Sequence, residues 1–143
     1  MRILVDADAC PVKGIILQKA KQFDVPVIMV ADTSHAGSCE GAETIMVGQG
    51  ADSADMMLAN LAQAGDIVVT QDHGLAALAL GKGALALNQN GMLYDAQNID
   101  ALLFSRYLGK KVRRSGGRIK GPGKRTTADD TAFEKMLVKL LEA

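Results

Sequence analysis

Aspartates recur where apolar runs end in this chain. Asp6 and Asp8 follow Ile3-Leu4-Val5, Asp52 and Asp55 follow Thr44-Ile45-Met46-Val47, and Asp72 follows Ile67-Val68-Val69-Thr70. If each run is a strand of a parallel sheet, all five acids leave the same edge, where open α/β sheets bind their ligands. Gathered carboxylates repel one another, so such a cluster persists when a cation neutralises it or when some members hold protons. Hard oxygen ligands favour Mg²⁺ or Mn²⁺. Those ions neutralise phosphoryl oxygens and activate water for displacement at phosphorus. All five acids are therefore candidate ligands for such an ion. Each acid also has a plainer use. Asp52 and Asp55 stand three apart, as the two partners of a capping box do. Asp72 opens a helix, where negative charge complements the dipole, and Asp8 suits a cap for the first helix. Asp6 ends a strand expected to be buried, where an uncompensated carboxylate is costly.

The elements that must position these groups follow from periodicity. Residues 2–6 read as a strand, and Pro11 suits the first turn of a helix reaching about Phe23. Residues 25–30, 44–47, 67–70 and 84–87 read as four further strands. Residues 31–42 read as a long loop carrying Asp32, Ser34 and His35 to the same edge as Asp6. Met57, Leu58, Leu61 and Ala62 give a helix over 52–64 its apolar stripe, and a shorter helix spans 75–80. Asn98 is the expected N-cap of a fourth helix and Gly109 its end. Thr127-Ala128-Asp129-Asp130 reads as the capping box of a last amphipathic helix. Alternating strands and helices predict one α/β domain with a five-stranded, mostly parallel sheet. It would comprise an α/β core over 1–109, a basic loop over 110–127 and a C-terminal helix over 128–143.

Charge is segregated although the formal net charge is zero. Residues 1–105 hold five basic and twelve acidic side chains, whereas 106–125 hold nine basic ones and no acid. Arg106, Lys110, Lys111, Arg113, Arg114, Arg118, Lys120, Lys124 and Arg125 would meet nucleic-acid phosphates, with salt-dependent and weakly sequence-selective binding. The alternative is that this stretch solvates a connection or docks on the acidic body of its own chain or a neighbour. Lys13 is placed to meet phosphate or to neutralise Asp6 or Asp8, and Thr70 to position a carboxylate or water. Cys10 and Cys39 are too few for a disulfide framework and lack metal spacing. The first apolar run meets Asp6 at once, so no signal peptide is expected. The apolar stretch Leu75 to Leu87 is broken by Gly81-Lys82-Gly83, too short for a bilayer span. A soluble cytoplasmic protein is expected.

Three stretches resemble a known family across nearly the whole chain. They are Val5-Asp6-Ala7-Asp8-Ala9-Cys10-Pro11-Val12-Lys13, Gly65-Asp66-Ile67-Val68-Val69-Thr70-Gln71-Asp72, and the tail from Arg114 through Gly117 to Gly121-Pro122. In these the chain looks like the YaiI/YqxD family of bacterial proteins. More loosely, it resembles the PIN-domain nucleases, metal-dependent ribonucleases with a parallel sheet and a carboxylate pocket. Asp6 matches the acid that ends their first strand, Asp55 the acid that opens their central helix, and Thr70-Gln71-Asp72 their Thr-x-Asp. The resemblance implies a three-layer PIN-like domain with strand order 3-2-1-4-5. It also implies hydrolysis of RNA phosphodiesters by catalytic Asp6, Asp55 and Asp72, with Asp6, Asp8, Asp55 and Asp72 as the metal ligands and Asp8, Asp52, Thr70 and Lys13 in support. Ile3 to Asp8 also looks like the opening motif of haloacid-dehalogenase-type phosphatases. That likeness implies Asp6 as nucleophile and Asp8 as acid/base, with Gly65-Asp66 and Asp72 as the later acidic motif. A third reading keeps the pocket as a scaffold that binds RNA or a protein without turnover.

Overall fold

Ile3, Leu4 and Val5 are sealed from solvent because a strand lies on either side of them. The computed structural model describes residues 1–8, 10–32, 41–48, 53–114 and 124–143, with the backbone alone for 106, 107 and 109–114. Strand β1 (Ile3–Asp6) pairs in parallel with β2 (Val27–Asp32) and β4 (Ile67–Val69). Strand β3 (Glu43–Val47) adds outside β2, and β5 (Leu85–Leu87) outside β4. The order is therefore β3-β2-β1-β4-β5, with every neighbouring pair parallel. This is the order implied by the PIN-like resemblance.

Parallel strands covered on both faces need apolar residues at successive positions, and β1 supplies them. Its alternate side chains feed two cores. Ile3 and Val5 join Val27, Met29 and Ile67 beneath helices α1 (Lys13–Phe23) and α5 (Thr127–Glu142). Leu4 joins Ile28, Val30 and Val68 beneath α2 (Ser53–Leu61), α3 (His73–Gly81) and α4 (Ala96–Arg114). The result is three layers, helices on each face of the sheet. Helix α5 belongs fully to the core: Phe133 and Leu137 are inaccessible and pack with Ile16 and Ala20 of α1. Burying each large side chain of this kind contributes about 1.5–3 kcal/mol.

The N-terminal edge of the sheet is fastened by Arg2. Its guanidinium donates to both oxygens of the buried Asp66 and to the Leu61 carbonyl, while Asp66 also accepts the Gln63 N–H at 3.0 Å. Burial pushes the Asp66 carboxyl up, but Arg2 and the backbone donors outweigh it and hold the group below its ordinary value. Asp66 precedes β4 and lies at the edge opposite Asp6, so it cannot serve with Asp72 in the acidic motif that the phosphatase likeness implied.

Several boundaries differ from the sequence expectation. Helix α4 begins at Ala96, capped by Asp95, whose Oδ1 accepts the N–H groups of Gln97 and Asn98. Asn98 is the reciprocal partner and accepts the Asp95 N–H. The same helix runs through Gly109 to Arg114, so Lys110, Lys111, Arg113 and Arg114 lie on a helix instead of a loop. A mid-helix glycine costs only about 1 kcal/mol, and the strong helix formers around it carry the turn. Helix α5 is capped by Thr126, one residue earlier than expected, with its N–H donated to Asp129. Strand β2 extends to Asp32. Among the described residues no helix is long and apolar enough to cross a membrane.

Candidate functional site

β1 ends at Asp6, β4 hands over to Thr70, and Asp72 caps α3, so a central strand pair delivers three polar residues to one edge. Thr70 is buried and ties the other two together. Its hydroxyl donates to Asp6 Oδ2 at 3.3 Å and accepts the Asp72 N–H at 3.0 Å. Below it, the buried Tyr94 donates its hydroxyl to the Thr70 carbonyl at 3.2 Å. Burial, then the Asp72 charge, pushes the Tyr94 hydroxyl up to about 12, which keeps it a donor. Asp72 opens α3 as expected, and it does so as the N-cap, accepting the Leu75 N–H at 3.1 Å. Asp8 reaches sideways along the edge and accepts the Asp32 N–H at the end of β2, at 3.1 Å.

Asp6, Asp8, Thr70 and Asp72 rim a pocket of about 340 Å³, together with His73 and Gln89. Burial pushes the Asp6 carboxyl up to about 6; the Thr70 hydroxyl pulls the other way, and the charges of Asp8 and Asp72 add to the rise. Acids from two distant stretches thus interact within one pocket. Cys10 also lines it, but burial raises its thiol above the ordinary range. The helix start, Lys13 and Arg125 oppose that rise without cancelling it. A protonated thiol is a poor nucleophile.

The remaining expected residues fall elsewhere. Asp55 stands in the first turn of α2 and lines a neighbouring pocket of about 540 Å³ with Asp72, Asn60 and Lys82, not the pocket of Asp6. Asp72 is common to both. Lys13 begins α1, close enough to act on the Cys10 thiol. Asp52, Arg118, Lys120, Ser34, His35 and Cys39 lie outside the described residues. Arg106 shares α4 with Lys110, Lys111, Arg113 and Arg114, and Lys124 is exposed. Arg125 is engaged within the chain: it pairs with Asp130 at 2.7 Å and donates to Asn90 Oδ1 at 2.7 Å and the Gln89 carbonyl at 2.8 Å. The basic segment therefore ends against the loop that carries Gln89 into the pocket. Among the described residues, no three histidine, cysteine or acidic side chains stand as a ready-made metal cage.

Sequence reasoning gave no site role to Gln89, Tyr94 or His73. The signal for Gln89 was positional, since it follows β5 at the same edge as the acids. The adjacent Asn90-Gly91 turn dipeptide hid that.

Comparison with known proteins agrees with the resemblance of the three stretches. The family model described as "Uncharacterized BCR, YaiI/YqxD family" matches residues 4–143. A UPF0178 protein of Ruminiclostridium cellulolyticum is 54% identical over 142 residues, covering 99% of this chain and 93% of the relative. UPF0178 proteins of Clostridium acetobutylicum and Bacillus anthracis are each 46% identical, covering 99% of this chain and 97% and 99% of theirs. A crystal structure of Rae1 (YacP) from Bacillus subtilis is similar with a TM-score of 0.48 and 19% identity, covering 98% of this chain and 92% of that one. At that distance the likeness says nothing about activity. The chain belongs to the YaiI/YqxD family.

Proposed function

We propose that the pocket hydrolyses phosphodiester bonds, with RNA as the substrate implied by the PIN-like resemblance and with Mg²⁺ or Mn²⁺ as cofactor. One observation carries this reading: Asp6 and Asp8 line a single pocket with Asp72, far away in sequence, at the C-terminal edge of the central strands. Carboxylate oxygens suit a hard divalent ion, and burying like charges together is expensive without one. Asp6, Asp8 and Asp72 are the residues that would hold the ion. Asp55, which shares the adjoining pocket with Asp72, is the further candidate ligand. When bound, the ion would supply positive charge to the phosphate and lower the pKa of a water. The chain's own contribution is positional. Thr70 orients Asp6 by its hydroxyl and, through the Asp72 N–H, fixes where α3 starts. The cations of 106–125, which end beside the pocket wall at Arg125, suit the sugar-phosphate track of a bound strand.

End-labelled single-stranded RNA, incubated with the full chain and Mn²⁺, tests the reading. Cleavage should stop with a chelator and fall at least about 100-fold in Asp6→Asn and Asp72→Asn, the scale expected when a group that orders the reaction is lost. RNA binding without cleavage, unaffected by Asp6→Asn, would instead establish a binding module. A beryllofluoride adduct on Asp6 would establish phosphoryl transfer through the carboxylate.

A further inference from the structure

Gln89 Oε1 and His73 Nδ1 are among the pocket's buried polar atoms that have no hydrogen-bond partner among the described residues. Buried polar groups nearly always have partners, and an orphan points to a missing ligand or water. The Thr70 hydroxyl is already spent on Asp6 and Asp72, Asp8 accepts the Asp32 N–H, and Asp72 accepts the Leu75 N–H. A phosphate cannot satisfy Gln89 Oε1, because phosphodiester oxygens only accept. A hydroxyl can, because it donates one hydrogen bond and accepts two. It would donate to Gln89 Oε1 while accepting from a protonated His73 Nδ1, or, with the carboxamide turned over, accept from Gln89 Nε2 while donating to an unprotonated Nδ1. In a pocket of about 340 Å³ that also takes a phosphate, the group in question must lie within a few bonds of phosphorus. The ribose 2′-hydroxyl meets that condition, and it is the group that distinguishes RNA from DNA.

We infer that Gln89, with His73, forms a hydroxyl-reading subsite that selects ribose over deoxyribose beside the bound phosphate. The inference rests on the phosphodiester reading above and names its specificity-determining residue.

The architecture of the Gln89 loop suits that task, since the loop is fixed before any ligand arrives. Asn88 Oδ1 accepts the N–H groups of Asn90 and Met92, each at 2.9 Å, and so winds the turn from within. Arg125 grips the Gln89 carbonyl and the Asn90 side chain from outside. Gly91 then lies against α5 so closely that a Cβ there would come 2.5 Å from the Ala132 carbonyl oxygen. A polar group held by its supporting shell discriminates well, because it cannot relax around a substrate that lacks the partner.

The test compares matched all-ribo and all-deoxy strands in the Mn²⁺-dependent cleavage assay, for the wild type and Gln89→Met. The wild type should prefer the ribo strand by about 100-fold or more, as sites that hydrogen-bond a substrate hydroxyl do. Gln89→Met should bring that ratio to within a few-fold of one, chiefly by slowing the ribo strand. A ratio that survives the substitution overturns the inference, and so does a wild type that cuts both strands equally. If the wild type cuts neither strand, the cleavage reading fails on its own. The subsite is then read by calorimetric titration with uridine 3′-monophosphate and its 2′-deoxy analogue in Mn²⁺. A ribo preference lost in Gln89→Met upholds it, and equal affinities of the wild type for the two nucleotides overturn it.

Discussion

Replacing Asp6 by Asn should make the metal-free protein more stable at neutral pH. Burial and the neighbouring charges of Asp8 and Asp72 move the Asp6 carboxyl from 3.8 to about 6. At 1.36 kcal/mol per pH unit, holding it ionised at pH 7 costs the fold up to about 3 kcal/mol. Asp6 keeps some contact with solvent, so about 1–3 kcal/mol is the working range. The sign follows from proton counting. Between about pH 4 and 6 the native state binds a proton that the unfolded state has released, so stability falls as pH rises through that window. Above about 6 the whole cost is present; below about 4 it is gone. Asn cannot ionise and still offers an oxygen to the Thr70 hydroxyl, so the variant escapes the cost without losing that bond. For a chain of this size the melting temperature should rise by about 2–4 °C per kcal/mol. Thermal and urea unfolding with a chelator present, at pH 7 and again near pH 4, measures the difference. A variant less stable than the wild type at pH 7, or a difference that does not change with pH, refutes the reasoning. Conversely, a divalent ion should stabilise the wild type and not the variant, since a ligand that binds only the native state adds RT ln(1 + [L]/Kd).

Asp66 should behave in the opposite sense. Its stabilising contribution is present above about pH 4 and lost as pH falls through its depressed pKa. Arg2→Ala, which takes the cation from the buried Asp66, should cost about 1.5–3 kcal/mol in urea unfolding. Gly91→Ala should destabilise by about 1–3 kcal/mol, because Gly91 has φ +87° and no room for a Cβ. Hydrogen exchange should show the loss in α5, the element it touches. Changing Lys110, Lys111, Arg113 and Arg114 to Gln together should weaken RNA binding roughly uniformly across sequences. The slope of log affinity against log salt should shrink by about 0.7 for each single-strand phosphate that the variant no longer neutralises.

Much of the fold was legible because a parallel sheet leaves a strong trace. Ile3-Leu4-Val5 and Ile67-Val68-Val69 are apolar at successive positions since both faces of the sheet are covered, and alternation with helical stripes gave the class. Helix ends were less legible. Asn98 looks like a cap but is the partner of one, because Asp95 and Asn98 satisfy each other and sequence alone does not say which lies outside the helix. Gly109 looked like a stop, yet a glycine ends a helix only where the chain turns to a left-handed conformation, and here the helix passes straight through. In the site, Asp6, Asp8 and Asp72 were visible as acids following strands. Their convergence depended on topology that the resemblance implied and the sheet order shows. Asp55 was assigned by the same rule and lies one pocket away, since α2 enters the edge from the flank of Asp72. Gln89 was invisible because its chemistry lies in a missing partner, which only coordinates reveal.

Mn²⁺ binding bears most directly on whether the scattered acids make one site. The free-ion paramagnetic resonance signal should be titrated on the wild type and on Asn variants at Asp6, Asp8 and Asp72, with the exposed Asp100→Asn as control. At least one ion should bind per chain, with affinity falling about tenfold or more in each of the three pocket variants and unchanged in the control. A wild type that binds no Mn²⁺ at millimolar concentration, or an isotherm indifferent to all three substitutions, would contradict the account.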